Sequence, residues 1–155
     1  MTLERAKTIG YWATTGLLAL DFFVGGAADL ARPRVVVLTM QHLGYPGYFA
    51  LVLGAWKVLG SLAILAPRFP RLKEWAYAGI CFDVTGAAFS HAASGDGAGK
   101  ALAPLVVLAI AIASWALRPG SRVLASGTPA SGFPLETEDQ TVDSAEHVFR
   151  AAQLG

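Results

Sequence analysis

A single cysteine, Cys81, occurs in the 155 residues, so no intrachain disulfide framework can hold the chain together. It lies inside an apolar stretch, where a thiol fills space rather than reacts. Charge is scarce as well. Only 15% of the residues are Asp, Glu, Lys or Arg, against about a quarter in a soluble domain. The net charge of +1 provides no basic excess, which argues against a nucleic-acid partner. Local catalytic signatures are missing too: there is no glycine-rich phosphate loop, no serine nucleophile elbow, no Cys-x-x-Cys and no His-x-x-x-His. A metal site from Asp29, His42 and His91 is conceivable, but without tight ligand spacing no metal is expected.

What the chain does hold is apolar sequence, 54% of its residues, with a mean hydropathy of +0.49. This is gathered into four stretches, at about 8–30, 45–66, 75–93 and 101–117. Each is near the ~20 residues that cross a bilayer as a helix. Helix is the expected state because lipid offers no partner to backbone N–H and C=O groups. Pro33, Pro46, Pro67, Pro70 and Pro119 punctuate the ends of the stretches, and Pro104 falls in an early turn of the fourth. Trp12, Tyr45, Tyr48, Trp75, Tyr77 and Trp115 lie near the ends, as an aromatic belt requires. A signal peptide is a poor description of the first stretch, which is too long and is interrupted by Asp21. A soluble bundle would need a polar face on each helix, and the fourth stretch has none.

The sequence therefore predicts an all-α protein: a four-transmembrane-helix bundle over residues 1–118, followed by a polar tail over 119–155. Between the first two spans, Val35–Leu38 and then Met40, Gln41 and His42 read as a short interfacial segment. The tail runs from Ser, Gly, Thr and Pro into Glu136, Glu138, Asp139, Asp143 and Glu146, the composition of a disordered segment. With four spans, Arg5, Lys7, Arg68, Arg71, Lys73, Arg118 and Arg122 share one side, and Arg32, Arg34 and Lys100 the other. The positive-inside rule then puts both termini, and the tail, in the cytoplasm.

Ionisable residues inside the spans are the informative ones. An Asp or Lys at the bilayer centre costs roughly 2.5 to 3.5 kcal/mol on insertion scales and usually marks function. Asp21, Lys57 and Asp83 fall at middle depth, and Asp29 and His91 nearer the outer ends. The rows Leu17-Asp21-Gly25-Asp29 and Gly79-Asp83-Ala87-His91 recur every four residues and so share a helix face. Ala50, Gly54, Lys57 and Ser61 make a small, polar stripe on the second span. Small residues let helices approach closely. Two polar layers are expected, about 12 Å apart from eight residues of rise. The inner layer holds Lys57 between Asp21 and Asp83. The outer layer pairs Asp29 with His91 and takes in Gln41 and His42 from the interfacial segment.

The runs Gly-Tyr-Pro-Gly-Tyr-Phe (44–49), Leu-Gly-Ala-Trp-Lys-Val-Leu-Gly (53–60), Leu-Lys-Glu-Trp-Ala-Tyr-Ala-Gly (72–79) and Gly-Ala-Ala-Phe-Ser-His (86–91), with Gly95-Asp96, resemble the DoxX-like family of small four-helix membrane proteins. The resemblance covers roughly residues 8–117, and its span-two lysine and span-three Ser-His map onto Lys57, Ser90 and His91. It implies kinship with membrane subunits of thiosulfate:quinone oxidoreductases and of redox-stress complexes.

The functional expectation is a charged intramembrane pocket that binds or transforms a small lipophilic molecule. The chemistry would be acid–base isomerisation or cyclisation, or redox chemistry on a quinone, which is the candidate cofactor. Asp21, Lys57, Asp83, His91 and Asp29 are the candidate catalytic residues, and Gln41, His42, Tyr48 and Ser90 the candidate ligand contacts. The rival class is a non-catalytic subunit that anchors a redox partner and uses its charges for assembly. A homo-oligomer is compatible with either.

Overall fold

The computed structural model describes residues 2–122. Five α-helices account for most of them: α1 (Leu3–Ala31), α2 (Arg34–His42), α3 (Phe49–Leu65), α4 (Pro70–Ala93) and α5 (Ala98–Ala116). There is no strand among the described residues. A 3₁₀ turn, Gly120–Arg122, follows. The acidic segment from 123 onward, with its expected disorder, lies outside the described residues.

The four expected spans correspond to α1, α3, α4 and α5, and the expected interfacial segment is the nine-residue α2. Two of the four, α1 and α5, are long and apolar enough to cross a membrane by length and composition. α3 is apolar but has 17 residues, about 26 Å of rise. It is shorter than the expected 45–66 because Tyr45–Tyr48 form turns around Pro46 instead of helix. α4 is long but carries Arg71, Lys73, Glu74 and Asp83.

The helices close into a ring. α1 packs against α3 and α5, and α4 packs against α5 and α3, which leaves α1 and α4 on a diagonal. Leu18, Ala19, Phe22, Ile64, Tyr77, Ile80, Val84 and Ala111 form the core. Polar side chains share that interior. Thr15 on α1 and Tyr77 on α4 each lie within hydrogen-bond distance of the Ser114 hydroxyl on α5, at 2.6 and 2.7 Å, so three helices are tied through one buried oxygen. Many other large apolar side chains face outward: Trp75, Phe82 and Phe89 are 80%, 79% and 76% exposed. So much exposed aromatic and aliphatic surface, around an interior that also holds buried hydroxyls and a buried lysine, departs from the usual pattern of a soluble bundle.

Lys73 is completely buried. Its ammonium donates to the carbonyls of Ala63 and Ile64 in the last turn of α3. The last four carbonyls of a helix have no partner within it, so a lysine from α4 caps α3 across the α3–α4 turn. Beside it, the Arg118 guanidinium lies 2.8 Å from Glu74 and over the rings of Tyr77 and Trp115. Arg122 lies over Trp12 and donates to the Tyr11 hydroxyl, so the 3₁₀ turn packs on α1.

The closest helix approach is between α1 and α3. A Cβ on Gly54 would sit 2.7 Å from the Gly26 carbonyl, and a Cβ on Gly26 would sit 2.9 Å from the Gly54 carbonyl. Neither backbone can yield without separating the helices. Gly54→Ala should therefore lower stability by about 1–3 kcal/mol, the usual cost of overpacking. Gly16→Ala, where nothing lies within 4 Å, should be neutral or gain up to about 1 kcal/mol of helix propensity. Thermal unfolding in detergent checks both, and equal midpoints for the two variants would contradict the close crossing.

Candidate functional site

The Gly26–Gly54 crossing brings the charges together. With Gly54 against Gly26, Asp29 and Leu30, Lys57 lies one turn further along α3 against Gly26. Its ammonium donates to Asp29 Oδ2 at 3.0 Å and stands 3.9 Å from Asp83 Oδ2. All three side chains are largely buried, at 22%, 10% and 17% exposure.

This differs from the expected layers. Lys57 bonds Asp29 rather than Asp21, and Asp21 is exposed, with no ion pair among the described residues. The reason is directional. Side chains on a helix lean toward its N-terminus. α1 and α3 are antiparallel neighbours, so the stem of Lys57 leans toward the Asp29 end of α1, and Asp29 leans back to meet it. Asp21 leans away from both.

The expected Asp29–His91 pair is absent because His91 has a nearer carboxylate. His91 Nδ1 instead lies 2.7 Å from Asp96 Oδ2. Asp96 also accepts from Lys100 on α5 at 3.0 Å and stands 3.2 Å from His42 Nε2 on α2. Its placement comes from the end of α4. Gly95 takes φ +73°, its N–H bonds the Ala92 carbonyl, and the Asp96 N–H bonds the His91 carbonyl. This is a Schellman cap, which folds the chain back over the last turn. Hydrogen bonding from His91, then from Lys100, holds the Asp96 carboxyl well below the usual carboxylate range.

α2 ends in the same way, with Gly44 at φ +79° and the Tyr45 N–H on the Met40 carbonyl. That cap brings the Tyr45 hydroxyl within 2.6 Å of Ser90 Oγ and stacks its ring on Phe49. Ser90 thus links the α2 end to α4. Gln41 is exposed and Tyr48 is 67% exposed, and neither lines a cavity described below. Asp96, Tyr45 and Lys73 take part in these contacts although the pattern of intramembrane charge does not point to them. Gly44-Tyr45 and Gly95-Asp96 were the available signals: a glycine after a helix, followed by a polar side chain.

Two cavities meet at the lysine. The first, about 450 Å³, opens between α3 and α4 and is walled by Trp56, Leu59, Ala63, Trp75 and Ile80, with Lys57 and Asp83 as its only charged groups. The second, about 430 Å³, lies between α1, α4 and α5 and also reaches Lys57 and Asp83. Phe22 lines both. No group of three or more His, Cys, Asp or Glu residues that could hold a metal ion occurs among the described residues.

The model of the DoxX-like family matches residues 13–114. No curated protein and no solved structure compared with the chain gives a match.

Lys57→Met keeps the stem and removes the charge, leaving Asp29 and Asp83 without their cation. Breaking a buried pair in this way costs about 3–5 kcal/mol. Adding Asp29→Asn and Asp83→Asn should restore most of that loss. Replacing Asp29→Asn by Asp21→Asn in the triple variant should restore clearly less. Unfolding midpoints of the two triple variants distinguish the partners, and a better rescue through Asp21 would overturn the Lys57–Asp29 assignment.

Proposed function

The chain belongs to the DoxX-like family, and from that premise we propose that it is a four-span membrane protein that binds a lipophilic molecule between α3 and α4. Family membership and two apolar helices of spanning length mark an integral membrane protein. The exposed apolar surface supports the larger span count: outward aromatic and aliphatic side chains lie on all four long helices, including Leu62 on α3 and Phe82 and Phe89 on α4. In this reading α1, α3, α4 and α5 cross the bilayer and α2 lies on its outer surface. Arg68, Arg71, Lys73, Arg118 and Arg122 join the N-terminal Arg5 and Lys7 on one side, and Arg32, Arg34 and Lys100 lie on the other. Both termini are then cytoplasmic.

The observation that carries the binding proposal is the first cavity. Its walls are otherwise apolar, it lies between α3 and α4, and its two charged groups, Lys57 and Asp83, stand 3.9 Å apart. A molecule entering from the acyl chains would bury its hydrocarbon against Trp56, Ala63 and Trp75. Its polar end would meet a donor and an acceptor. Lys57, already oriented by Asp29, donates to a carbonyl or hydroxyl oxygen, and Asp83 accepts a proton or hydrogen bond from the same end. A donor and an acceptor held side by side are what proton transfer needs. They equally fit a quinone-type carbonyl held for hydrogen bonding.

Two measurements test this. Enzymatic reporters fused after Leu117 and within Gly95–Gly99 should be active on opposite sides of the membrane, the former in the cytoplasm. Reporters on the same side would end the four-span reading. For the ligand, a short-chain benzoquinone titrated into the purified protein should quench tryptophan fluorescence saturably, because Trp56 and Trp75 line the slot. Ala63→Phe fills the slot and should weaken that binding at least about tenfold, or ~1.4 kcal/mol, with little change in unfolding midpoint. Non-saturable quenching that is identical in the variant would favour an anchoring subunit over a binding site.

A further inference from the structure

The two cavities differ in chemistry although they share Lys57 and Asp83. The first offers no other charged wall. The second is lined by Asp21 from α1, Lys57 from α3, Asp83 and His91 from α4, and Lys100 from α5, so that every long helix contributes an ionisable group. Lys100 is 66% exposed on the α4–α5 turn, while Lys57 is 22% exposed at the other end. From Asp83 to His91 is eight residues of one helix, about 12 Å of rise. Pro104 also lines this space and has no N–H to offer the Lys100 carbonyl four residues before it.

A space of about 430 Å³ holds on the order of ten waters at liquid density, and the charged groups set among its apolar residues give such waters hydrogen-bond partners. Ionisable groups at membrane depth that face a cavity are the usual components of proton paths. We propose that the second cavity is a hydrated passage carrying protons between the water at the α4–α5 turn and the Lys57–Asp83 pair. A proton taken up by Asp83 from the ligand's polar end leaves along this passage as hydronium. A proton that Lys57 gives up is replaced by the same route. His91 and Lys100 line it toward the α4–α5 turn, and Asp96 bonds both of them and His42, fastening α2, α4 and α5 together there. The site therefore exchanges lipophilic molecules through its first cavity and protons through its second, with one side of the membrane only. This rests on the ligand reading above.

Thiol accessibility tests the passage without any ligand. In the full chain carrying Cys81→Ala, single Ala87→Cys and Ala103→Cys variants place a thiol on the second cavity, and Ala63→Cys and Ala76→Cys place one on the first. The reactive species is the thiolate, which an apolar setting suppresses. In sealed proteoliposomes a charged, membrane-impermeant maleimide added on the α4–α5 side should modify Ala87→Cys and Ala103→Cys at least about tenfold faster than the other two, one pKa unit of thiolate suppression being worth that factor. From the opposite side none should react. A lipid-soluble maleimide should modify Ala63→Cys and Ala76→Cys, showing that their thiols are present and reachable from lipid. Equal rates at all four positions, or faster modification from the opposite side, would overturn the passage. Because no ligand takes part, that failure would leave the benzoquinone titration standing, and loss of saturable quenching would leave the passage standing.

Discussion

One lysine inside the bundle sets the constraints on everything around it. Lys57 cannot stay charged among apolar groups without a carboxylate at bonding distance. Asp29 at 3.0 Å meets that need, and the meeting requires α1 and α3 to cross at two glycines. Side-chain lean then selects Asp29 over Asp21. Asp83, at 3.9 Å, is left as the acceptor that the ion pair does not fully satisfy. Both cavities are lined by Lys57 and Asp83, so they meet on this arrangement.

The two ends of the bundle are built differently. At the end of the α3–α4 turn, Lys73 caps the carbonyls of α3 while Arg118, Glu74 and Trp115 join α5 to α4. That end is closed and tightly bonded. At the other end a single carboxylate, Asp96, gathers His42, His91 and Lys100 from three helices. The Lys100 ammonium there stays in contact with solvent. The asymmetry suits a protein whose polar traffic enters from one side.

Much of this was legible in the sequence, and the parts that were not depend on three-dimensional arrangement rather than on position along the chain. Periodicity and hydropathy locate the helices, and the scarcity of charge picks out Lys57 and Asp83 as residues that must meet. Depth along the chain also predicts a layer containing Asp21, and there it misleads, because depth ignores which way a side chain leans on antiparallel helices. Depth alone also matches His91 with Asp29, whereas its partner is the carboxylate five residues later, delivered by a glycine cap. Lys73 reads as an ordinary loop cation, since nothing in its neighbours announces that it turns inward to the end of α3. The two cavities depend on how four helices splay, which no single stretch of sequence encodes.

The central claim is that Lys57 forms the polar end of a slot entered from lipid between α3 and α4. The most direct measurement is photolabelling of the purified protein in bilayers with a long-chain ketone bearing a diazirine near its carbonyl, followed by mass spectrometry of the adducts. The account predicts adducts concentrated on Leu59, Gly60, Ala76 and Gly79 beside the inner end of the slot, and their loss in Lys57→Met. Adducts spread evenly over outward-facing residues such as Phe89, Leu102 and Ile112, unchanged in that variant, would contradict it.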